Sequence, residues 1–324
     1  MAIRTKPVGT TNVRVTDVSF GCASIGNLYR AITDAQAQEV LQTAWSAGIR
    51  YFDTAPRYGR GRSEMRLGAF LKGRARDSYV ISTKVGRYLT PGEPVSEGEG
   101  FADPLPNDVH HDYSGDGIET ALDGSRSRLG INYIDIVYVH DIGTYTHGAD
   151  NEAHMEAFLG SGYERLVRLK ERGKIGAIGL GVNENEICLE IMKHGPLDVI
   201  LLAGRLTLLD RTAEAALVPA CGDAGTSLVL GGVFNSGILA TGPVEGATYD
   251  YGPAPQEVLD QVRDLQTRAV TLGMPLASAA LHFAKAHPLT ASVLIGTAKP
   301  DTLTRNLEAL SGAVPKKFAE TFKF

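Results

Sequence analysis

The chain has 324 residues, of which 43% are hydrophobic and 21% are charged, and this composition is typical of a globular protein. The net charge of −5 argues against a nucleic-acid-binding surface, which is usually basic. The apolar runs are too short to cross a bilayer, and three scattered cysteines imply no disulfide framework. We therefore expect one cytoplasmic domain over residues 1–324, without membrane contact or an obligate protein partner.

Short apolar runs alternate with helical patterns along the whole chain. The first residues predict a small hairpin that turns at residues 9–12. Eight nearly continuous apolar runs, typical of strands buried on both faces of a parallel sheet, follow it and begin at Val18, Arg50, Tyr79, Ile134, Ile175, Leu197, Ser227 and Ala291. Eight strands alternating with helices predict an α/β fold, a (β/α)8 TIM barrel.

The alternative architecture is a doubly wound open sheet. That fold usually carries GxGxxG after its first strand, and the nearest string here, "GRGRSE", lacks the third glycine. Asp34 is predicted to cap the helix that follows the first strand. Three connections are unusually long, at residues 87–116, 140–162 and 235–255, and all three follow strands. In a barrel they lie over the C-terminal mouth, which makes them candidate substrate loops.

Four polar residues stand at or just after the ends of successive strands. Asp53 and Tyr58 follow the second strand, Lys84 ends the third and His140 ends the fourth. A lysine beside a tyrosine stabilises the phenolate, an aspartate can orient that lysine, and a histidine can donate a hydrogen bond to a substrate oxygen. This set suits proton transfer coupled to hydride transfer at carbon.

Other kinds of chemistry fit the sequence less well. No serine or cysteine stands beside His140, so nucleophilic catalysis is disfavoured, and no second histidine or cysteine lies at ligand spacing, so we expect no metal. The adjacent pair His110 and His111 is interpreted as solvated surface.

Three motifs carry a family resemblance. "FDTAPRYGRGRSE", "STKVG" and "VHD" resemble the aldo-keto reductase superfamily, and the likeness extends over essentially the whole chain. The resemblance implies a barrel that binds NAD(P) without a Rossmann domain. It also implies a catalytic tetrad in which Tyr58 is the general acid/base, Lys84, held by Asp53, tunes its pKa, and His140 orients the substrate oxygen.

Within the superfamily the chain is similar to the aldose 1-dehydrogenase group. This group includes L-fucose, D-threo-aldose and L-galactose dehydrogenases and pyridoxal 4-dehydrogenase, and the likeness rests on "HDYSGDG", "VYVHDIG", "GLGVNENE" and "LLAGRLTLLD". It implies oxidation of a cyclic hemiacetal to a lactone, with a sugar or pyridoxal as substrate. The alternatives are a general NADPH-dependent aldehyde or ketone reductase and a non-catalytic barrel like the potassium-channel β subunits.

The resemblance also implies where the cofactor binds. The usual Ser-Asn pair after the fifth strand is replaced by Asn183-Glu184, and the stacking tyrosine of the seventh strand aligns with Gly231. Ala298 and Thr302 stand where NADP-preferring relatives often have a basic residue, which favours NAD, with NADP as the alternative. The implied cofactor contacts are Gly21, Asp53, Asn183, Arg205, Gly232, Phe234, Asn235, Gly296, Thr297, Thr302, Arg305 and Asn306.

Overall fold

A closed barrel of eight parallel strands forms the centre of the molecule. The computed structural model describes residues 3–323. In barrel order the first to eighth strands are Val18–Gly21, Tyr51–Asp53, Val80–Val85, Ile134–His140, Ile175–Val182, Val199–Ala203, Ser227–Gly231 and Thr290–Ile295. The predicted barrel is confirmed, and each predicted apolar run overlaps one of its strands. Because the strands are parallel, all their carboxyl ends open on one mouth.

Helices surround the barrel and cover its outer face. A helix or helix pair follows every strand, and these helices are Asp34–Ser46, Arg62–Leu71, Gly115–Leu129, Tyr163–Glu171, Glu186–Met192, Leu217–Ala224, Gln256–Thr271 with Leu276–Ala286, and Pro300–Ser311. Their apolar sides pack on the outward-facing strand residues in one continuous core. A last short helix covers Phe318–Phe322.

The cap of the first helix differs from the prediction. Thr33, and not Asp34, is the N-cap, because the Thr33 side chain accepts a hydrogen bond from the Gln36 N–H while the Gln36 side chain bonds back to the Thr33 backbone. Asp34 is instead the first helical residue and forms an ion pair with Arg66. The reciprocal capping arrangement satisfies two backbone donors, which a lone aspartate would not do.

The predicted N-terminal hairpin is confirmed and lies against the closed end of the barrel. Thr5–Pro7 pairs antiparallel with Arg14–Thr16. Two of its apolar side chains, Val8 and Val15, are fully buried in a second cluster with barrel residues such as Tyr51 and Tyr138. The mouth is thereby left as the open end of the barrel.

The three long connections have structure of their own at the mouth. The first contains the antiparallel pairs Arg87–Pro91 with Asn107–His111 and Glu97–Gly98 with Phe101–Ala102. The second carries the short helices Thr144–His147 and Asn151–Ala157, and the third carries Ile238–Thr241 and a pair formed by Thr248–Tyr249 and Gly252–Pro253. No helix among residues 3–323 is long and apolar enough to cross a membrane.

Candidate active site

Lys84 is the centre of a buried polar cluster at the barrel mouth. Its Nζ donates hydrogen bonds to Asp53 Oδ2 at 2.8 Å, to the Thr54 carbonyl at 2.9 Å and to the Tyr58 hydroxyl at 3.0 Å. The Lys84 and Asp53 side chains are only 2% and 1% exposed. Three acceptors satisfy all three donors of the ammonium group, so the cluster holds its geometry without water.

The sheet register explains why residues distant in sequence meet here. Asp53 ends the second strand and lies opposite Ser82 of the third, which places Lys84 just beyond the same edge. The Ser82 hydroxyl donates to Asp53 Oδ1 at 2.7 Å, so both carboxylate oxygens are bound. Tyr58 follows on the turn that leaves the second strand. The sequence prediction that Asp53, Tyr58 and Lys84 lie together is therefore consistent with the geometry.

His140 completes the group at the end of the fourth strand. Its ring stands nearly perpendicular to that of Tyr58, with centroids 6.0 Å apart and an interplanar angle of 86°. The His140 side chain is buried and its Nδ1 has no hydrogen-bond partner. The backbone is fixed by the Tyr113 hydroxyl, which donates to the His140 carbonyl at 2.7 Å. Both rings line the same cavity.

Burial and nearby charges set the protonation states of this group. Burial alone would lower the pKa of Lys84, but the Asp53 carboxylate and the Tyr58 phenolate outweigh it and raise that pKa, so the lysine stays cationic. Burial raises the pKa of Tyr58, and the charge of Lys84 opposes part of that rise. Burial, then the charges of Arg87 and Lys84, holds the pKa of His140 well below its ordinary value, so the imidazole is neutral.

Above the four residues lies a cavity of about 380 Å³ with a polar and aromatic rim. Arg57 and Glu99 form an ion pair of 2.8 Å at the rim. Phe101 stacks on Tyr58 with centroids 5.8 Å apart, and Asp141 and Tyr29 also line the cavity. The sequence predictions missed Arg57, Glu99, Phe101 and Asp141. Only Asp141, a charged residue directly after a strand end, carried a signal in the sequence.

A second cavity of about 350 Å³ continues the first toward the sixth to eighth strands. The two cavities share Leu28, Asn183, Ala203 and Tyr251, so they form one cleft across the mouth. Of the predicted cofactor contacts, five line this second cavity, namely Asn183, Gly232, Phe234, Asn235 and Gly296. The structure thus brings these five dispersed residues together on one wall.

The residues along this cleft fit an extended dinucleotide. Gly232 has a φ of +60°, and a Cβ there would approach the Gly204 backbone nitrogen to 3.0 Å, so the wall is kept free of side chains. Asn183, whose Nδ2 donates to the Ala203 carbonyl at 3.3 Å, stands where the two cavities meet. An amide side chain at that junction can hold a carboxamide next to Tyr58 and Lys84.

The other predicted cofactor residues do not themselves line this second cavity. Gly21 packs near Leu294 and Gly296. Arg205 is already engaged, because its guanidinium donates to the Asn183 carbonyl at 2.8 Å and forms ion pairs with Asp210 and Asp250 at 3.3 and 3.0 Å. Of the other four, Thr297 precedes the helix Pro300–Ser311, and Thr302, Arg305 and Asn306 lie within its first two turns.

His111 is exposed, as the sequence interpretation expects, but it also contacts other histidines. Its ring centroid lies 5.0 Å from that of His147, and the His147 and His154 centroids are 4.3 Å apart. The three rings join the first and second long connections. His110 does lie outside this group, stacked on Tyr88. The contact was invisible in the sequence because loop folding alone brings these residues together.

Comparisons with known proteins agree with this geometry. Residues 17–323 match the model of the aldo/keto reductase family. The chain is similar to a pyridoxal 4-dehydrogenase of Microbacterium luteolum, with 38% identity over 98% of this chain and 96% of that one. It is similar to a D-threo-aldose 1-dehydrogenase of a Pseudomonas species, with 37% identity over 92% and 90%.

A solved structure gives the same result for the fold. An aldo-keto reductase from Bacillus halodurans, in its holo form, superimposes with a TM-score of 0.79 and 25% sequence identity over 99% of this chain and 95% of that chain. The family match covers almost the whole chain, including every strand of the barrel. The chain therefore belongs to the aldo/keto reductase family and is an oxidoreductase that acts on CH–OH groups with a nicotinamide cofactor.

Proposed function

We propose that the protein is an NAD-dependent aldose 1-dehydrogenase that oxidises the hemiacetal carbon of a cyclic sugar to a lactone. The observation that carries the proposal is the 3.0 Å contact between Lys84 Nζ and the Tyr58 hydroxyl, at the floor of a cavity whose rim holds Arg57, Glu99 and Asp141. Charged donors and acceptors around a small cavity suit a polyhydroxylated substrate. The similarity to D-threo-aldose 1-dehydrogenase supports the same class.

The four residues have separate parts in this proposal. Tyr58 takes the proton of the substrate hydroxyl during oxidation, and Lys84 stabilises the phenolate that accepts it. Asp53 keeps Lys84 charged and aimed at Tyr58, and neutral His140 donates a hydrogen bond to the substrate oxygen. The bound nicotinamide supplies the hydride acceptor for the C–H bond that breaks. Because the phenolate form of Tyr58 removes the substrate proton, the oxidation should be fastest at alkaline pH.

We assign the cofactor to the cleft that the two cavities form together. Asn183, Gly232, Phe234, Asn235 and Gly296 line it. The remaining contacts predicted from the sequence are Gly21 beside Gly296, Asp53 beside Lys84, Arg205 at the Asn183 carbonyl, and Thr297, Thr302, Arg305 and Asn306 before and within the last barrel helix. A preference for NAD over NADP is supported by the side chains near the start of the last barrel helix. Ala298 and Thr302 offer no positive charge to a 2′-phosphate, and the Arg305 Nη2 is directed along the helix to Thr302 Oγ1 at 3.3 Å.

Pyridoxal is the second candidate substrate. A relative named pyridoxal 4-dehydrogenase is 38% identical over 98% of this chain, and pyridoxal also closes to a hemiacetal. The aromatic rim formed by Phe101 and Tyr29 could cover a flat pyridine ring. The same tetrad would then produce a pyridine lactone by the same transfer of hydride and proton.

One assay separates these candidates. Purified protein is given L-fucose, D-arabinose, L-galactose and pyridoxal at mildly alkaline pH, each with NAD and with NADP, while reduced cofactor and lactone are measured. We expect lactone formation with an aldose and NAD, at a kcat/KM at least ten times that with NADP. Turnover of pyridoxal alone would support the second candidate. If only simple aldehydes are reduced, with NADPH, the dehydrogenase proposal is wrong.

Two broader proposals accompany this function. We propose that residues 1–324 form one domain in the cytoplasm without an obligate partner. The three thiols are free and buried, which suits a reducing compartment. A single cooperative unfolding transition and recovery of activity in the cytosolic fraction are the expected results; two separate transitions would contradict the first proposal.

A further inference from the structure

Arg87 is a buried cation that the four-residue cluster does not use. It begins the first long connection, its side chain is 3% exposed, and its Nη2 lies 3.1 Å from Asp141 Oδ2. Its Nε and Nη1 have no hydrogen-bond partner. An arginine this deeply buried is stabilised chiefly by an opposite charge, and Asp141 supplies that charge.

Asp141 connects this arginine to the active-site histidine. The same oxygen that Arg87 contacts, Asp141 Oδ2, lies 3.4 Å from His140 Nε2. Asp141 has a φ of +47°, in the left-handed region, and its N–H donates to the Gly181 carbonyl at 2.9 Å. This backbone geometry turns the carboxylate back toward the ring of the residue before it.

The contact distinguishes between the two neutral forms of the imidazole. A lone pair on Nε2 would lie 3.4 Å from a carboxylate oxygen and be repelled, whereas an N–H there is stabilised by the negative charge without being used up in a hydrogen bond to it. His140 Nδ1 has no acceptor that could hold a proton. The contact with Asp141 therefore favours the proton on Nε2, and this is the form that can donate to a substrate oxygen.

We propose that Arg87 and Asp141 act as a positioning pair: Asp141 keeps the proton of neutral His140 on Nε2, and Arg87 cancels the charge of Asp141 so that His140 does not become a cation. The proposal rests on the role of His140 in the proposed function. Neither residue moves a proton or touches the hydride. Both act through His140, because a carboxylate without the arginine would favour imidazolium.

Other charges also face His140 and are constant across the variants below. The groups that act on its ring or backbone, from the strands and loops around it, are Lys84 with Asp53, Tyr58, Arg57 with Glu99, His111 and Tyr113. Lys84 and Arg57 disfavour a second cation as Arg87 does. Arg87 differs from them because it is the cation that contacts Asp141 itself.

The test reads His140 directly by NMR of protein labelled with ¹⁵N-histidine, with His140→Asn used to assign the signal. In the wild-type protein we expect a proton on Nε2 and no titration between pH 5 and 8. In Arg87→Met the ring stays buried but Asp141 loses its counter-charge, so we expect the titration midpoint of His140 to rise measurably above that of the wild type. Arg87→Lys keeps the positive charge, and Arg87→Met/Asp141→Asn removes the positive and the negative charge together. In each of these two variants we expect His140 to remain neutral, as in the wild type.

A matched pair at position 141 tests the proton position separately. Asp141→Asn keeps an acceptor, and Asp141→Gly removes it while accepting the positive φ, so both backbones remain unstrained. In Asp141→Asn we expect the His140 proton to stay on Nε2. In Asp141→Gly we expect a large fraction of the molecules to carry that proton on Nδ1 instead. The same Gly variant should lower kcat about tenfold with KM within about twofold.

Two results would overturn the proposal. One is an Arg87→Met protein in which the titration midpoint of His140 is no higher than in the wild type, and the other is an Asp141→Gly protein that retains the wild-type proton position. If Arg87→Met does not fold, the position-141 pair decides. Because the NMR signal needs no turnover, failure to oxidise any sugar would count against the proposed function and leave this pair to be judged on its own.

Discussion

The Lys84 ammonium group lies 3.0 Å from the Tyr58 hydroxyl and 2.8 Å from Asp53 Oδ2, and the Lys84 and Asp53 side chains are buried. Lys84 therefore has two functions in one position. It neutralises a buried carboxylate, which stabilises the fold, and it offers a positive charge to the phenol, which serves the chemistry. These two functions can be separated by mutation.

Lys84→Met should damage both stability and turnover. It leaves Asp53 buried without a counter-charge, which we expect to lower the free energy of unfolding by about 3–5 kcal/mol. We expect kcat to fall by about 10²–10⁴-fold, because the phenolate loses its stabilising charge. The double variant Lys84→Met/Asp53→Asn should recover most of the stability in urea unfolding but none of the turnover. Recovery of turnover in the double variant would show that Lys84 is structural only.

Arg57→Met should weaken recognition of hydroxylated substrates. Arg57 lines the cavity, and loss of a charged donor to substrate hydroxyls is worth about 1.5–3 kcal/mol, or about 10–100-fold in kcat/KM. Reduction of a small aldehyde without hydroxyl groups should change less than about threefold.

A matched control comes from the same turn. Arg62 pairs with Asp103 at 3.6 Å in the same long connection but does not line the cavity. Arg62→Met therefore removes a similar ion pair without removing a substrate contact. Equal losses of sugar oxidation in both variants would mean that the loop, and not the Arg57 side chain, matters.

The histidine contact between the loops should make the protein sensitive to acid. Burial lowers the pKa of both His111 and His147 to about 4. Between about pH 4 and 6.5 the unfolded chain therefore binds more protons than the folded one, so stability rises with pH in this window and falls as the solution is acidified. We expect the melting temperature to drop between pH 7 and pH 5.

A variant at one ring tests this cause. In His147→Asn the drop in melting temperature should be about 1–2 °C smaller than in the wild type, since both rings are partly exposed and solvent reduces the effect. His110→Asn is the control, because His110 lies outside the three-ring contact. The explanation fails if the two variants respond to pH alike.

The barrel was predictable because its strands are buried on both faces. Such strands appear in the sequence as continuous apolar runs, and parallel pairing then brings their ends to one mouth. Asp53, Lys84 and His140 could therefore be placed together from their positions at strand ends. The position of Tyr58 could also be predicted, because it stands only five residues after Asp53 in the sequence.

The rim of the cavity was not predictable in the same way. Arg57 and Glu99 are 42 residues apart, and their pairing depends on how the first long connection folds. Glu99 has a φ of +57°, and the pattern of apolar residues does not predict this backbone conformation. The error at Asp34 has a similar origin, because the choice of Thr33 as N-cap depends on the side-chain geometry of Gln36.

The measurement that tests the central claim most directly is the turnover of Tyr58→Phe. Lys84 retains its bonds to Asp53 and to the Thr54 carbonyl, so this variant should fold and bind cofactor as the wild type does. We predict that kcat for lactone formation falls by about 10²–10⁴-fold while the cofactor Kd changes less than about threefold. Turnover within tenfold of the wild type, in a folded protein that binds cofactor, would contradict the assignment of Tyr58 as the group that takes the substrate proton.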